Sequence, residues 1–137
     1  MILGLGTDLV EISRIESAMA RFDPRFIERL LTPLEIAYCR AQGRPAAAVA
    51  ARFAAKEAVS KAFGTGIGAE LGWHDIEISR LATGQPVVQL HGKATTLLRA
   101  RGADAIHLSI SHTNDHATAV AILERRTGGE VSPARLG

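Results

Sequence analysis

The stretch AAAVAARFAAKEAVSKAFG, residues 46–64, decides how the chain folds. It consists mainly of good helix formers, contains no proline, and ends in a glycine of the kind that commonly follows a helix. The pattern predicts one long helix over residues 46–63. Because alanine side chains are small, backbones can approach each other closely, and we expect tightly packed helices.

The N-terminal segment, residues 2–10, shows the two-residue alternation of a β-strand. Three leucines fall on one face of this strand, namely Leu3, Leu5 and Leu9. Asp8 falls on the other face. From Glu11 onward the apolar residues recur at helical spacing, which predicts a short amphipathic helix directly after the strand.

The remaining elements have local start and stop signals. Residues 32–35, TPLE, contain the threonine, proline and glutamate of a capping box and predict a helix that ends near Arg40. We also predict a helix over residues 92–101 and strands over residues 76–81, 87–90, 105–111 and 117–124, the last two joined as a hairpin. Helices and strands do not alternate strictly, so we expect an α+β fold in which an antiparallel sheet packs with the long helix and shorter helices.

Length and composition indicate one domain over residues 1–124 and a flexible tail over residues 125–137. Of the 137 residues, 47% are hydrophobic and 22% are charged, which excludes a disordered or fibrous protein. No apolar run approaches the ~20 residues that a membrane span needs, and the N-terminus lacks the basic start of a signal peptide. The single cysteine, Cys39, excludes an intrachain disulfide and favours a cytoplasmic protein.

The formal net charge is +2, which fits a protein that binds phosphates or an acidic partner. This charge is too small to indicate nucleic-acid binding. The aromatic residues, four Phe, one Tyr and one Trp, are also few for a protein that stacks on bases.

Asp8 is the first candidate for chemistry. It stands near the end of a strand and follows Gly4 and Gly6, which allow close backbone approach. A carboxylate at this place can bind a hard cation, or it can cap the helix that begins just after it. Position alone favours the cap.

Glu57 on the long helix is the second candidate. It lies four residues before Lys61, and Arg52 lies four residues before Lys56, so the members of each pair share a face. The pattern fits an ordinary Glu57–Lys61 pair on a solvated helix. It also fits a carboxylate and several cations directed at a phosphate-bearing ligand, although spacing alone favours the solvated helix.

Other common kinds of site are not indicated. Residues 64–68, GTGIG, follow a helix rather than a strand and lack the Lys-Ser/Thr of a P-loop, so we interpret them as a helix cap followed by a turn. His112 and His116 are separated by a predicted turn and need not converge on zinc. Cys39 has no obvious base, so a covalent nucleophile is unsupported.

The order of several short motifs is more specific than any one of them. Residues 4–15, GLGTDLVEISRI, resemble the opening motif of the holo-acyl-carrier-protein synthases. Residues 52–58, RFAAKEA, followed by KAFGTG, resemble the second motif of that family. Gly84 with Pro86, and residues 109–113, SISHT, are similar to the third and fourth motifs. The resemblance extends over nearly the whole chain, from residue 2 to about residue 124.

The resemblance implies the fold and the reaction of a small 4′-phosphopantetheinyl transferase. Such enzymes move phosphopantetheine from coenzyme A to a serine of apo-acyl carrier protein, release adenosine 3′,5′-bisphosphate, and support fatty acid biosynthesis. The resemblance also implies a homotrimer with active sites between subunits and a requirement for Mg²⁺. Asp8 and Glu57 match the family's metal ligands, and two carboxylates beside water and phosphate oxygens suit this ion.

Roles for further residues follow from the same resemblance. Lys61 would stabilise the leaving phosphate, as a fixed cation near developing charge does. The acceptor of the serine proton stays open between Glu57 and a water molecule on the metal. The residues implied in coenzyme A binding are Arg52, Lys61, Gly84, Pro86, His112 and Thr113.

Carrier proteins are acidic, and the predicted first helix has a basic stripe formed by Arg14 and Arg21, with Arg25 just beyond. We predict that these arginines dock the carrier protein. Met19 and Phe22 either offer apolar contact there or belong to the core. The alternative for the whole chain is a non-catalytic module that binds RNA or an acidic protein, and such a module has no use for two carboxylates that converge near a phosphate.

Overall fold

The computed structural model describes residues 1–126 and has the predicted α+β architecture. The helices are α1 (Ile12–Phe22), α2 (Arg25–Leu30), α3 (Pro33–Arg40), α4 (Pro45–Phe63) and α5 (Lys93–Ala100), with a short 3₁₀ turn at Trp73–Asp75. The strands are β1 (Ile2–Glu11), β2 (Ile76–Arg80), β3 (Pro86–Leu90), β4 (Ala105–His112) and β5 (His116–Glu124).

The strands form two antiparallel sheets rather than one within the described residues. β1, β5 and β4 make a three-stranded sheet in that order, and β2 pairs with β3 as a separate hairpin. The long helix α4 packs against β1 and β5 on one side and against α3 and β2 on another. Most of its residues are buried, so α4 forms the centre of the core.

The closest approach between the three-stranded sheet and α4 occurs at two glycines of β1. A Cβ atom at Gly4 would overlap the carbonyl oxygen of Ala62, and one at Gly6 would overlap the carbonyl oxygen of Ala58. Real Cβ atoms do not approach backbone oxygens so closely. Only glycine at these two places therefore lets the strand lie directly on the helix.

Leu5 and Leu9 of β1 face away from α4. Leu5 and Leu9 are 60% and 67% exposed, whereas Gly6 and Val10 on the opposite face are buried. In the sheet register Leu5 pairs with Ile122, so the outer face of the sheet carries apolar side chains from two strands.

Alternation correctly placed Leu5 and Leu9 on one face and Asp8 on the other. It was wrong for Leu3, which lies at a register shift between Ile2 and Gly4 and packs against the core. The glycine contact determines which face of the strand meets the helix.

A buried ion pair holds the other side of α4. The Nζ of Lys56 donates to Oε1 of Glu35 on α3 at 2.6 Å, and both side chains are almost completely buried. Glu35 also accepts hydrogen bonds from the backbone N–H groups of Thr32 and Ile78. Burial lowers the pKa of Lys56, and the Glu35 carboxylate opposes that shift.

Most predicted boundaries agree with the structure to within two residues. The capping box at Thr32 is present with both hydrogen bonds, and Gly64 ends α4 with a left-handed φ of 83°. The β4–β5 hairpin is also confirmed. Helix α2 was not predicted, because its six residues are too few to show a period and no side chain caps its start.

The segment after β5 begins with two anchored residues. The backbones of Arg125 and Met1 exchange hydrogen bonds, and Arg126 binds the Asp104 carboxylate. The rest of the predicted tail, residues 127–137, lies outside the described residues. A search of residues 1–126 finds no helix with both the length and the hydropathy that a membrane crossing requires.

We predict that Gly6→Ala destabilises the protein because the new Cβ collides with the backbone oxygen of Ala58, which has little freedom to move. Overpacking of this kind costs about 1–3 kcal/mol or more. Gly68→Ala is the matched control, since nothing lies within 4 Å of the position its Cβ would occupy. Urea unfolding of both variants tests the prediction, and equal midpoints would contradict it.

Candidate active site

Asp8 and Glu57 lie together in one cleft of about 540 Å³. β1 delivers Asp8 from its inner face, and α4 delivers Glu57 from the turn that Gly6 contacts. We call this space the carboxylate cleft. Its lining consists of Asp8, Leu9, Val10, Glu11, Arg14, Ile15, Ala18, Phe26, Phe53, Glu57 and His116.

The structure rules out capping as the role of Asp8. The residue at the start of α1 is Glu11, and no side chain caps that helix. Asp8 instead accepts a hydrogen bond from Nζ of Lys61 at 3.2 Å, and the same ammonium donates to the Thr7 carbonyl at 3.0 Å. Lys61, one turn after Glu57, therefore pairs with Asp8 on the strand. The solvated-helix interpretation required Lys61 to pair with Glu57 instead.

Glu57 is partly buried, and its pKa is raised above the usual value. Burial is the largest cause, the nearby negative charge of Asp8 adds to it, and Lys61 opposes it. Two neighbouring carboxylates, one of which raises the pKa of the other, are a natural position for a cation. Among residues 1–126 no three His, Cys, Asp or Glu side chains cluster as a metal cage. The pair therefore fits a hard ion that takes its other ligands from water and phosphate, such as Mg²⁺.

A second cleft of about 220 Å³ is lined by basic residues, and we call it the cation cleft. Its charged and polar lining consists of Tyr38, Gln42, Arg44, Arg52, Arg80 and His112. Arg52 is only 2% exposed, and its guanidinium stacks 4.0 Å from the centre of the Tyr38 ring. Its Nε is the buried side-chain polar atom without a hydrogen-bond partner in the described part of the chain. A buried donor left unsatisfied in a cationic cleft is suited to an anionic ligand.

Two of these basic residues, Arg44 and Arg80, were missed by sequence reasoning. Arg44 lies at the start of α4, where it donates to Glu16 and to the Asn114 carbonyl. Arg80 ends β2 and donates to the Gly84 carbonyl. Arg80 lies on another element, far from Arg52 in sequence, so no local spacing could indicate that they share a cleft. Arg44 caps α4 about two turns before Arg52, but the helix was predicted to begin only at residue 46, so helical spacing was not applied to Arg44.

The other residues implied in coenzyme A binding are found in or beside two turns. Gly84, with a φ of 89°, belongs to the β2–β3 turn, and Pro86 begins β3 directly after that turn, paired with Arg80 of the cation cleft. Thr113 belongs to the β4–β5 turn, where its hydroxyl oxygen accepts the backbone N–H groups of Asp115 and His116. Thr113 thus shapes the turn that follows His112.

The two clefts share no lining residue among those described. One chain therefore brings Asp8 together with Glu57, and Arg52 together with His112, but does not bring the two pairs into a single cleft. Lys56, which shares a face with Arg52, lies in neither cleft, because its ammonium is buried against Glu35. The interpretation that several cations of α4 point at one ligand is wrong for Lys56.

The three arginines of the predicted docking stripe are exposed but have different surroundings. Arg14 lines the carboxylate cleft. Arg21 and Arg25 line a separate groove with Phe22, Phe26 and Arg29, and the Arg21 guanidinium lies 5.3 Å from the centre of the Phe22 ring. Phe22 is 56% exposed and Met19 is half-buried against the core, so the two apolar residues have different environments.

Fold and site together define a small α+β protein with a paired-carboxylate cleft and a phosphate-compatible cation cleft. The sequence model of the 4′-phosphopantetheinyl transferase superfamily matches residues 4–121. This match covers most of the chain, and the protein belongs to that family.

Individual relatives agree with this assignment. A holo-[acyl-carrier-protein] synthase of Moorella thermoacetica is 50% identical over 123 residues, which cover 90% of this chain and 94% of that protein. One of Koribacter versatilis is 47% identical over 124 residues, covering 90% and 99%.

Solved structures show the same fold. The crystal structure of holo-[acyl-carrier-protein] synthase from Neisseria meningitidis matches with a TM-score of 0.86 and 36% identity, covering 91% of this chain and all of that one. The enzyme from Helicobacter pylori, solved in complex with coenzyme A, matches with a TM-score of 0.79 and 37% identity over 88% of this chain and 99% of that one.

Proposed function

We propose that this protein is a holo-[acyl-carrier-protein] synthase. It transfers 4′-phosphopantetheine from coenzyme A to a serine of apo-acyl carrier protein, releases adenosine 3′,5′-bisphosphate, and thereby serves fatty acid biosynthesis. The observation that carries this proposal is the convergence of Asp8 and Glu57 in one cleft, with Lys61 beside them. These three residues come from the first two of the four motifs that carry the family resemblance.

Asp8 and Glu57 would hold Mg²⁺ in the carboxylate cleft. When bound, this ion neutralises charge on the pyrophosphate of coenzyme A and orients it for attack. Lys61 is half-exposed at the edge of the same cleft, where its ammonium stabilises the phosphate that leaves. Glu57 lies where it could accept the serine proton, either directly or through a water molecule in the cleft.

The cation cleft is suited to the other phosphate group of coenzyme A. Arg52 is held rigidly by burial and by stacking on Tyr38, so its planar guanidinium is pre-organised for phosphate oxygens. His112 lines the same cleft, and the turn with Gly84, together with Pro86, flanks it as a wall for the adenine.

A homotrimer completes the site in this proposal. The apolar outer face of the three-stranded sheet, with Leu5, Leu9 and the 38% exposed Val120, is the kind of surface that proteins cover by association. The separation of the two clefts within one chain supports the same conclusion. The cation cleft of one subunit would then act with the carboxylate cleft of its neighbour on one coenzyme A molecule.

The carrier protein would dock on α1 and α2. The groove between these helices combines Arg21, Arg25 and Arg29 with two phenylalanines, which suits an acidic helical partner with some apolar surface. Arg14 lines the carboxylate cleft, and Phe26 lines both that cleft and the groove. A carrier bound there would present its serine toward Glu57.

We predict that Asp8→Ala and Glu57→Ala each reduce transfer by a factor on the order of 10² or more, because charge stabilisation at the phosphate is lost. Chelation should inactivate the wild type, and added Mg²⁺ should restore it. The exposed Glu70→Ala is the control and should remain active. The measurement is the mass of apo-carrier protein after incubation with coenzyme A. A wild type that binds but never modifies the carrier would leave the non-catalytic module as the function.

We predict that Leu5→Glu dissociates the trimer and abolishes transfer, because Leu5 is 60% exposed on the apolar outer face and lines neither cleft, and a charge there opposes burial of the face. Leu34→Glu, at a leucine that is 74% exposed on α3, is the matched control and should remain trimeric and active. Sedimentation equilibrium measures the assembly. An active wild-type monomer would contradict both the trimer and the shared site.

We predict that charge reversal at Arg21 and Arg25 raises the KM for carrier protein about tenfold or more and leaves the KM for coenzyme A nearly unchanged. Rim charges act mainly on association rate and are screened by salt, so the difference from wild type should shrink at high ionic strength. Reversal at two exposed arginines elsewhere, Arg40→Glu on α3 with Arg99→Glu on α5, controls for the change in net charge. Equal KM values for carrier protein in variant and wild type would place the docking surface elsewhere.

A further inference from the structure

Lys56 uses all of its hydrogen-bonding capacity inside the protein. Its ammonium donates to the Glu35 carboxylate at 2.6 Å, to the Leu30 carbonyl at 2.8 Å and to the Trp73 carbonyl at 3.0 Å. An ammonium group has three donor protons, so this set satisfies it completely. The side chain is fully buried and touches neither cleft.

The Lys56–Glu35 pair joins segments from most of the core. Lys56 lies on α4 and contacts the end of α2 and the 3₁₀ turn, while Glu35 on α3 accepts the backbone N–H of Ile78 on β2. A buried ion pair is not needed for stability as such, because apolar residues of similar volume often serve equally well. The presence of this ion pair on α4 therefore needs an explanation other than stability.

The pair is connected to the carboxylate cleft through two aromatic rings. Lys56 holds the backbone of Trp73, and the Trp73 ring packs on Phe53 with ring centres 5.2 Å apart. Phe53 lines the carboxylate cleft, and Trp73 does not. Phe53 and Glu57 lie one helical turn apart, so they share the face of α4 that forms the cleft.

We propose that Lys56, together with Glu35, is a positioning residue for the transfer reaction. It fixes the rotation of α4 and the place of Trp73, so that Phe53 and Glu57 face the carboxylate cleft in their working orientation. Lys56 itself does not touch the substrates. This inference rests on the proposed function, because its kinetic consequence requires that Glu57 take part in the transfer.

The test uses Lys56→Met alone and in combination with Glu35→Met. The single variant leaves the Glu35 carboxylate buried without its partner, and we expect its Tm to fall by roughly 10 °C or more. The double variant removes both charges, and we expect most of that loss to be recovered. Arg99→Met, at an exposed arginine on α5, is the control and should resemble wild type in every measurement.

The decisive measurement is the activity of the stabilised double variant. We expect a kcat at least ~10-fold below wild type, because small displacements of a catalytic group reduce rates strongly, with the KM for coenzyme A within about threefold. Trp73 is the single tryptophan of the chain, so its fluorescence and near-ultraviolet circular dichroism report directly on the segment that Lys56 holds. Both signals should differ from wild type. A double variant with wild-type kcat would show that the pair is only structural and overturn the proposal.

A second variant keeps the proposal testable if the double variant does not fold. Trp73→Leu removes the ring and retains the carbonyl that Lys56 binds, so the ion pair remains in place. We expect a reduced kcat with little change in Tm, and an unchanged kcat would overturn the connection through Phe53. A wild type without transfer activity would defeat the proposed function instead. In that case the Trp73 spectra still test the positioning role. A double variant whose Trp73 spectra equal those of the wild type would overturn it.

Discussion

The contact between β1 and α4 is the constraint on which the rest of the structure depends. Gly6 leaves no side chain between strand and helix, and the carbonyl oxygen of Ala58 occupies the space that a Cβ would need. Asp8 follows two residues later on the same face of the strand. It therefore reaches the turn of α4 that carries Glu57 and Lys61. The carboxylate cleft exists because two backbones are in direct contact beside it.

The helix α4 directs successive side chains into three different environments. Adjacent residues on a helix point about 100° apart. Lys56 consequently enters the buried pair with Glu35 while Glu57 enters the carboxylate cleft. Arg52, one turn before Lys56, reaches the cation cleft. A single buried helix thus carries side chains of the core, of the carboxylate cleft and of the cation cleft. Any rotation of the helix would move the side chains in all three places.

Local features of the fold could be predicted from the sequence because neighbouring residues produce them. The capping box at Thr32 and the left-handed Gly64 involve residues within one turn of each other, and both are present. The short helix α2 shows the limit of this approach, since six residues give no measurable period. The sequence also did not predict that the glycine face of β1 is the face that contacts α4, and only the structure shows it. This choice of face depends on α4, more than forty residues away in the chain.

For the site, the sequence by itself determined which residue types are available. The first motif contains Asp8, the second contains Arg52, Glu57 and Lys61, and the fourth contains His112. Only the tertiary structure decided that Lys61 pairs with Asp8 and that Arg44 and Arg80 join the cation cleft. The physical reason is the distance along the chain over which each kind of interaction acts. Backbone hydrogen bonds and side-chain periodicity act over a few residues and are visible in any short window. Ion pairs and clefts form between segments that meet only after the chain has folded, and their partners depend on which faces are already buried.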